Sequence, residues 1–305
     1  MQKKPFATIP EQVAVLESRG MYIADKEATE LFLLGENFYS VVNGYKDMFL
    51  DEEETRAAHE DRYAPGTTFS HVKLLYMFDR RLRRISFDAL LRAETIMKTA
   101  TIYSFCEKHR DHNDYLDPAC YCSSKDYLPR ANYTRNLIKM LSTLQRLHDN
   151  GQHKEFIQHY LKEHKCVPLW VLSRCLTFGN VSAFYDLQTT DVQNATCKAI
   201  CRVSNKERIT PKQLRDVFRT LSAFRNICAH DERLFCAHVG PRNDKSFADL
   251  LLSLSIVLDE RTVSGLAQTI KELLEKLAEL DDLDMQVMTR MTIDYARLDS
   301  FIKEP

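Results

Sequence analysis

At 305 residues, the chain is long enough to bury a substantial core, either as one large domain or as two. Only 8 Gly and 9 Pro punctuate it, which is few for a β-rich or α/β protein and favours long helices. The formal net charge of -1 gives no indication of a nucleic-acid partner, so any surface that binds nucleic acid must be a local patch.

Signals for targeting, disulfides and metal binding are weak. No apolar run follows a basic N-terminus and no apolar segment approaches the length of a membrane span, so we expect a cytoplasmic protein without a signal peptide. The nine cysteines are scattered, which predicts reduced thiols and no zinc finger. Four histidines lie close in sequence, but their spacing does not align them on one helical face: His148, His153, His159 and His164. We predict no metal and no other cofactor.

The N-terminal half shows helical periodicity with clear start and stop signals. Asp25 is a predicted N-cap, and Gly20 is a predicted helix stop. The aromatic residues of segment 37–47 are expected to pack in the core around a turn at Asn43 and Gly44. The predicted helices of this half cover residues 11–19 and 26–34, a segment capped by Thr68 or Ser70 with apolar positions from Val72 to Ile85, and residues 87–108.

The C-terminal half continues the same pattern. An apolar helix is predicted to start at Val167 and to be broken by residues 178–182, and Thr210 and Pro211 mark the start of the helix that leads to His230. The other predicted helices cover residues 133–149, 154–164, 247–258, 261–283 and 285–303. No segment shows the alternation of a strand, and no Gly-rich phosphate loop is present. These patterns predict an all-α helical bundle.

The densest basic cluster lies in the predicted helix of residues 72–85 and comprises Arg80, Arg81, Arg83 and Arg84. Four arginines in five positions cover more than half of a helix circumference. Some of them can therefore contact phosphates while others pair with acids such as Asp79 or Asp88. We take this cluster as the candidate RNA-binding surface.

One short segment combines residue types that suit phosphate chemistry. Asn226 and His230 are four positions apart and share a helical face, and Arg225 precedes the asparagine. An imidazole can take or give a proton near neutral pH, and a guanidinium binds anionic oxygens in bidentate fashion. The spacing alone is also compatible with a structural pair between an arginine and an aspartate, or with a buried histidine.

The same residues carry a resemblance to known families. Arg225, Asn226 and His230 resemble the RNxxxH form of the Rx4-6H motif of HEPN ribonucleases. The longer segment 228–235, with Arg233, resembles the CAHxxRLF extension of the Abi family of abortive-infection proteins, in the AbiD/AbiF-like group. Further blocks similar to that family follow its order: residues 16–21 with Asp25; residues 37–47; residues 78–83 with Arg92 and Glu94; and Pro168 and Trp170 with Phe178, Gly179 and Ser182. Arg174 departs from the pattern, which has an acidic residue there.

The resemblance implies a HEPN-like helical domain over residues 131–305, with a helical N-terminal region over residues 1–130 packed on it, unless the two form one continuous domain. It also implies metal-independent RNA cleavage in phage defence, with His230 as general acid or base, Arg225 stabilising the phosphate and Asn226 orienting the histidine or a phosphate oxygen. Because the chain has one such motif, we expect a homodimer with a composite site. A structured non-coding RNA is an expected partner, and Arg233 is an expected RNA contact.

Two other hypotheses remain open from the sequence. The chain could be a non-catalytic RNA-binding or sensor protein of phage defence, or a toxin silenced by a partner protein. Substitution of His230 separates the first of these from a nuclease, because a nuclease loses toxicity but keeps RNA binding.

Overall fold

The computed structural model describes residues 6–128, 131–150, 154–279 and 283–303. Its helices are α1 (Ile9–Ser18), α2 (Lys26–Gly35), α3 (Glu52–Ala58), α4 (Phe69–Lys108), α5 (Tyr133–Asn150), α6 (Glu155–His164), α7 (Leu169–Leu172), α8 (Phe178–Asp186), α9 (Thr190–Ser204), α10 (Pro211–Ala229), α11 (Phe247–Val257), α12 (Glu260–Leu277), α13 (Leu283–Met291) and α14 (Tyr295–Asp299). Within the described ranges there is no strand, only isolated bridges. The predicted all-α fold is confirmed.

The chain divides into two compact units. One contains the described residues up to Arg84 together with Ile270–Met288, and the other contains Ile85–Thr269 together with the described residues from Thr289 onward. The boundary predicted near residue 130 falls within the sequence of the second unit. Helix α4 runs without interruption for 40 residues, about 60 Å at 1.5 Å per residue, so the helical segments predicted up to Ile85 and from Phe87 onward form one continuous helix.

In the first unit, local signals set the early helices as predicted. The Asp25 carboxylate accepts a hydrogen bond from the Ala28 N–H at 2.9 Å and caps α2. Gly20, with φ of 95°, follows α1 in a left-handed conformation that favours glycine. Helix α2 packs on the start of α4 through Phe32, whose ring meets that of Phe69 edge-on with centroids 6.1 Å apart.

Only part of the aromatic segment 37–47 lies in the core. The segment contains one turn of π-helix, Tyr39–Asn43, whose side chains differ in burial. Val41, Val42 and Tyr45 are buried, which confirms the core interpretation for these residues. Tyr39 is 73% exposed and lies outside the core. The segment therefore presents one aromatic ring to solvent and buries another.

In the second unit, α10 packs against α8, α9 and α11. Phe218 is its central contact, with ring centroids 5.9 Å from Phe178 and 5.1 Å from Tyr185 of α8. Thr210 caps α10 by accepting a hydrogen bond from the Gln213 N–H at 3.2 Å, so the predicted helix start at Thr210 and Pro211 is confirmed.

Three predicted boundaries are wrong. Residues 178–182 do not break a helix but begin α8, because Thr177 and Asn180 form a reciprocal capping box that Gly179 does not disturb. The apolar segment from Val167 forms a single α-helical turn, α7. The last predicted helix is divided into α13 and α14 by Thr292, whose φ is 57°.

Several histidines and the single tryptophan lie at the surface of the protein. The spacing of the four histidines is typical of a solvated helix surface, and His159 and His164 are exposed. His148 is half-buried, and His153 lies outside the described residues. Trp170 of α7 is 54% exposed. None of the described helices is both long and apolar enough to cross a membrane.

Candidate active site at the end of helix α10

The candidate motif occupies the last turn of α10 and its C-terminal cap. His230 is the C-cap residue, and its backbone N–H donates to the Asn226 carbonyl at 2.9 Å. Asp231 follows with φ of 57°, and the Glu232 N–H donates to the Ile227 carbonyl at 3.1 Å. This is the hydrogen-bond pattern of a Schellman motif, with aspartate at the position where glycine is usual. The helix therefore ends at the histidine, with Asn226 one turn before it.

Two arginines and one aspartate fix α10 against the end of α8. Asp186 is 8% exposed and accepts hydrogen bonds from Arg215 Nε at 2.8 Å and from Arg219 Nη2 at 3.0 Å. Arg215 is itself buried, so this pair lies in a poorly solvated environment. A buried carboxylate with two cationic partners restricts both the rotation and the translation of the helix that carries the candidate motif.

Arg225 is anchored by a carboxylate on α4. Its Nε donates to Glu94 Oε2 at 3.1 Å, and Glu94 is 7% exposed. The other oxygen of the same carboxylate, Oε1, lies 3.5 Å from Lys98 Nζ, which also donates to the Leu176 carbonyl at 2.8 Å. Since the bond from Arg225 uses Nε, the four Nη–H donors of its guanidinium are not engaged by this carboxylate.

The motif side chains differ in their access to solvent. Asn226, His230 and Arg233 are exposed, and Arg225 is partly exposed, with 28% of its side chain accessible. The alternative of a buried structural histidine is therefore excluded for His230. Arg225 has a structural ion pair, but with a glutamate distant in sequence and not with an aspartate. The arrangement offers a held guanidinium and an accessible imidazole at one helix end, which suits binding of a phosphodiester.

The predicted basic cluster is divided between surface and core. Arg80, Arg81 and Arg84 are exposed, and Arg80 forms an ion pair with Glu36. Arg83 is only 4% exposed, and its Nη1 lies 2.5 Å from Asp79 Oδ2. The prediction that Arg83 contacts RNA is therefore wrong, because its charge is used inside the first unit. The alternative that some of these arginines pair with acids such as Asp79 is confirmed for Arg83.

A buried tyrosine joins the hydrogen-bond network of Arg83 and Asp79. The Tyr45 hydroxyl donates to Asp79 Oδ2 at 2.7 Å and accepts from Arg83 Nη1 at 3.1 Å, and Asp79 is fully buried. Burial, and then the charge of Asp79, raise the pKa of Tyr45. The hydroxyl consequently remains protonated and serves as a second donor to the carboxylate.

Sequence reasoning missed the two carboxylates that position the site. Glu94 was noted only as part of a family block and Asp186 was not singled out, although they hold Arg225 and α10 respectively. Arg174, which stands where the family pattern has an acid, places its guanidinium 4.8 Å from the centroid of the Phe156 ring. This cation–π contact gives the arginine a packing role in place of the expected charge.

These features define an all-helical protein with an anchored arginine, an asparagine and an accessible histidine at one helix terminus. The chain belongs to the Abi-like protein family, whose pattern matches residues 32–236 and so includes both Glu94 and the complete motif. Searches of curated proteins and of solved structures found no match. Membership in the Abi-like family suggests a role in abortive infection, a form of phage defence.

Proposed function

We propose that this chain is a HEPN-type endoribonuclease of the AbiD/AbiF-like group, which cleaves RNA without a metal ion during abortive infection. The observation that carries the proposal is the last turn of α10, where Glu94 holds Arg225 while Asn226 and His230 are exposed. A structural role alone accounts for the ion pair of Arg225, and the proposal rests on the presence of the complete RNxxxH pattern with its asparagine and histidine accessible at the same helix end.

In the proposed reaction, a 2′-hydroxyl of RNA attacks the adjacent phosphorus and the P–O5′ bond breaks. The products are a 2′,3′-cyclic phosphate and a 5′-hydroxyl. His230 accepts the proton of the 2′-hydroxyl or supplies one to the leaving oxygen. The Nη donors of Arg225 stabilise the negative charge that develops on the phosphorane-like transition state, and Asn226 hydrogen-bonds the imidazole or a phosphate oxygen.

A single imidazole cannot both remove and supply a proton in the same step, and the RNxxxH pattern occurs once in each chain. We therefore extend the proposal to a symmetric homodimer in which two copies of the end of α10 form a composite site. The exposure of Asn226, His230 and Arg233 supports this arrangement, since these side chains are accessible to a second subunit and to RNA.

RNA contacts outside the motif are proposed for the exposed members of the arginine cluster. Arg80, Arg81 and Arg84 suit the backbone of a structured non-coding RNA, and Arg233 suits the substrate strand. Arg80 would exchange its ion pair with Glu36 for a phosphate. Arg83 is excluded from this surface by its burial.

The test is a cleavage assay on total and structured RNA in excess chelator, with end-group analysis of the products. We expect cutting that resists the chelator, leaves cyclic phosphates and stops when the 2′-hydroxyl at the cut site is replaced by hydrogen. A His230→Ala preparation purified in parallel controls for contaminating ribonucleases. Sedimentation at the assay concentration is expected to show a dimer, and a fully active monomer would contradict the composite site.

The same assay has an outcome that rejects the enzyme. Tight RNA binding by the wild type without any cleavage, and with equal binding by His230→Ala, would favour a non-catalytic RNA-binding protein. Cleavage that the chelator abolishes and that stoichiometric Mg²⁺ restores would reject metal independence.

Glu94 provides a separate prediction because it touches Arg225 but not the proposed substrate. Glu94→Gln keeps the size of the side chain and removes the charge that holds the guanidinium. We expect kcat for RNA cleavage to fall by about 10- to 100-fold, the scale of the loss that a 1 Å misplacement causes, with a smaller change in KM. Helix content should be retained in the far-ultraviolet circular dichroism spectrum.

The matched control is Arg92→Ala on the same helix. Arg92 lies 3.4 Å from Asp259 in an exposed ion pair, so its loss changes charge without touching Arg225. Equal losses of kcat in both variants would show that Glu94 has no specific positioning role.

A further inference from the structure

A second cluster of chemically reactive side chains lies where α4 ends and the following loop turns back. His109, Asp114 and Cys120 each place one potential ligand atom within 4.8 Å of the other two. They come from the residue after α4, from a short 3-10 helix at Asp114–Leu116 and from the end of another at Pro118–Cys120. None of the three belongs to the proposed catalytic motif, and their spacing in the sequence predicts no metal site.

The imidazole of His109 is held in place by ring packing, and one of its two nitrogens has no hydrogen bond within the described part of the chain. Its ring stacks at a tilt against Phe105, with centroids 4.6 Å apart. Its Nε2 atom is buried and has no hydrogen-bond partner among the described residues. A buried nitrogen of this kind costs about 1–3 kcal/mol when it is left unsatisfied, so its position calls for a physical reason.

The carboxylate of the cluster is also positioned by the loop. Asp114 Oδ2 accepts a hydrogen bond from the Asp111 N–H at 3.0 Å. Asp117 caps the next turn by accepting from the Ala119 N–H at 2.9 Å, and that turn ends at Cys120. The loop thus brings a carboxylate and a thiol to the ring of His109 through its own local hydrogen bonds.

We propose that His109, Asp114 and Cys120 bind one zinc ion, with water as the fourth ligand. One nitrogen, one oxygen and one sulfur donor suit a borderline divalent cation, whereas Mg²⁺ and Ca²⁺ prefer oxygen ligands alone. Tetrahedral ligation at zinc places its ligand atoms about 3.3–3.8 Å apart, given bond lengths near 2.0–2.3 Å. The three ligand atoms lie within 4.8 Å of one another, so binding requires a contraction of about 1 Å around the ion.

The expected role of this ion is to fix the loop of residues 109–120 to the end of α4. The ion takes no part in the proposed RNA cleavage, which uses Arg225, Asn226 and His230. The two proposals can therefore fail separately, because this one is tested by spectroscopy and stability and the other by the chemistry of RNA products.

The test uses the 305-residue chain, first freed of metal by a chelator and then titrated with Co²⁺ alone. We expect one equivalent to bind with a tetrahedral absorption spectrum and a thiolate-to-cobalt charge-transfer band, and Zn²⁺ to displace it. Cys120→Ser should remove the charge-transfer band, and His109→Ala should remove stoichiometric binding. The matched controls are Cys201→Ser and His112→Ala. Cys201 is a half-buried cysteine of α9, and His112 is an exposed histidine in the loop that carries the proposed ligands. Both variants should keep the wild-type spectrum.

A second measurement covers variants that fail to fold. In the wild type, saturating Zn²⁺ is expected to raise Tm and to slow alkylation of Cys120, followed by mass spectrometry, while alkylation of Cys201 is unchanged. Binding without a charge-transfer band, less than one equivalent of bound Co²⁺, or equal alkylation of Cys120 with and without Zn²⁺ would each overturn the proposal.

Discussion

Replacing His230 with alanine is expected to lower the rate of chelator-resistant RNA cleavage by about 10²–10⁴-fold, the usual contribution of a general acid or base. Its side chain is exposed, and the cap of α10 uses only the backbone N–H of this residue. The free energy of unfolding should therefore change by no more than about 0.5 kcal/mol, as for other surface substitutions. Single-turnover cleavage rates and chemical unfolding measure the two effects on the same preparation.

The control for this prediction is His238→Ala. His238 is an exposed histidine in the loop that follows α10, and its Nδ1 lies 3.2 Å from the Cys236 carbonyl oxygen. The His238→Ala variant should cleave RNA at the wild-type rate. RNA binding by His230→Ala should also be retained, since phosphate contacts from arginines supply most of the affinity. A His230→Ala protein that cleaves at the wild-type rate would remove this residue from the mechanism.

Arg83→Ala is expected to lower the free energy of unfolding by about 3–5 kcal/mol, the range for breaking a buried ion pair. The substitution removes the ion pair of the fully buried Asp79 and leaves its hydrogen bond from the Tyr45 hydroxyl in place. The loss arises mainly from a buried carboxylate that has lost this cation, so a variant that removes both charges, Asp79→Leu with Arg83→Met, should lose less than the single change. Denaturant unfolding followed by far-ultraviolet circular dichroism measures the difference.

The control lies two residues earlier on the same helix. Arg81 is exposed, so Arg81→Ala should change stability by no more than about 0.5 kcal/mol. Comparison of the Arg81→Ala and Arg83→Ala variants also separates effects on stability from effects on RNA binding. Arg81→Ala is expected to weaken binding of a structured RNA without affecting the fold, whereas Arg83→Ala should destabilise the fold. An equal free energy of unfolding for the Arg83→Ala and Arg81→Ala variants would contradict a stabilising role of the buried ion pair between Arg83 and Asp79.

The helices were predictable where short-range chemistry decides them. Asp25 and Thr210 are side-chain caps that act within three residues, and both were identified from the sequence. The start of α8 was missed because Gly179 suggested a break, although the spacing of Thr177 and Asn180 is that of a capping box. That signal was present in the sequence and outweighed the glycine.

The inward orientation of Arg83 was also accessible from periodicity. Asp79 and Arg83 are four residues apart, and Val72, Tyr76 and Asp79 continue the same buried stripe of α4. Clustering of charge suggested a uniform basic surface, but a helix presents successive arginines to different sides. The stripe therefore predicts one buried cation among exposed ones.

The partner of Arg225 could not be predicted from local pattern. Glu94 is 131 residues away in sequence, so the contact exists only after α4 and α10 have packed in the second unit. The same holds for the cluster of His109 and Cys120, whose ten intervening positions show no repeated ligand spacing. The sequence motif identifies the accessible residues of the candidate site, such as Asn226 and His230. The buried Glu94 becomes part of the site only through tertiary packing.

The position of Trp170 determines how this protein should be followed in solution. It is the only tryptophan, and it is already more than half exposed. Its indole changes surroundings little when the chain unfolds, so tryptophan emission is a poor measure of the stability of the core. The same exposure makes the emission a local probe: a quenching or blue shift on addition of RNA, or on association of two chains, would place that contact at α7.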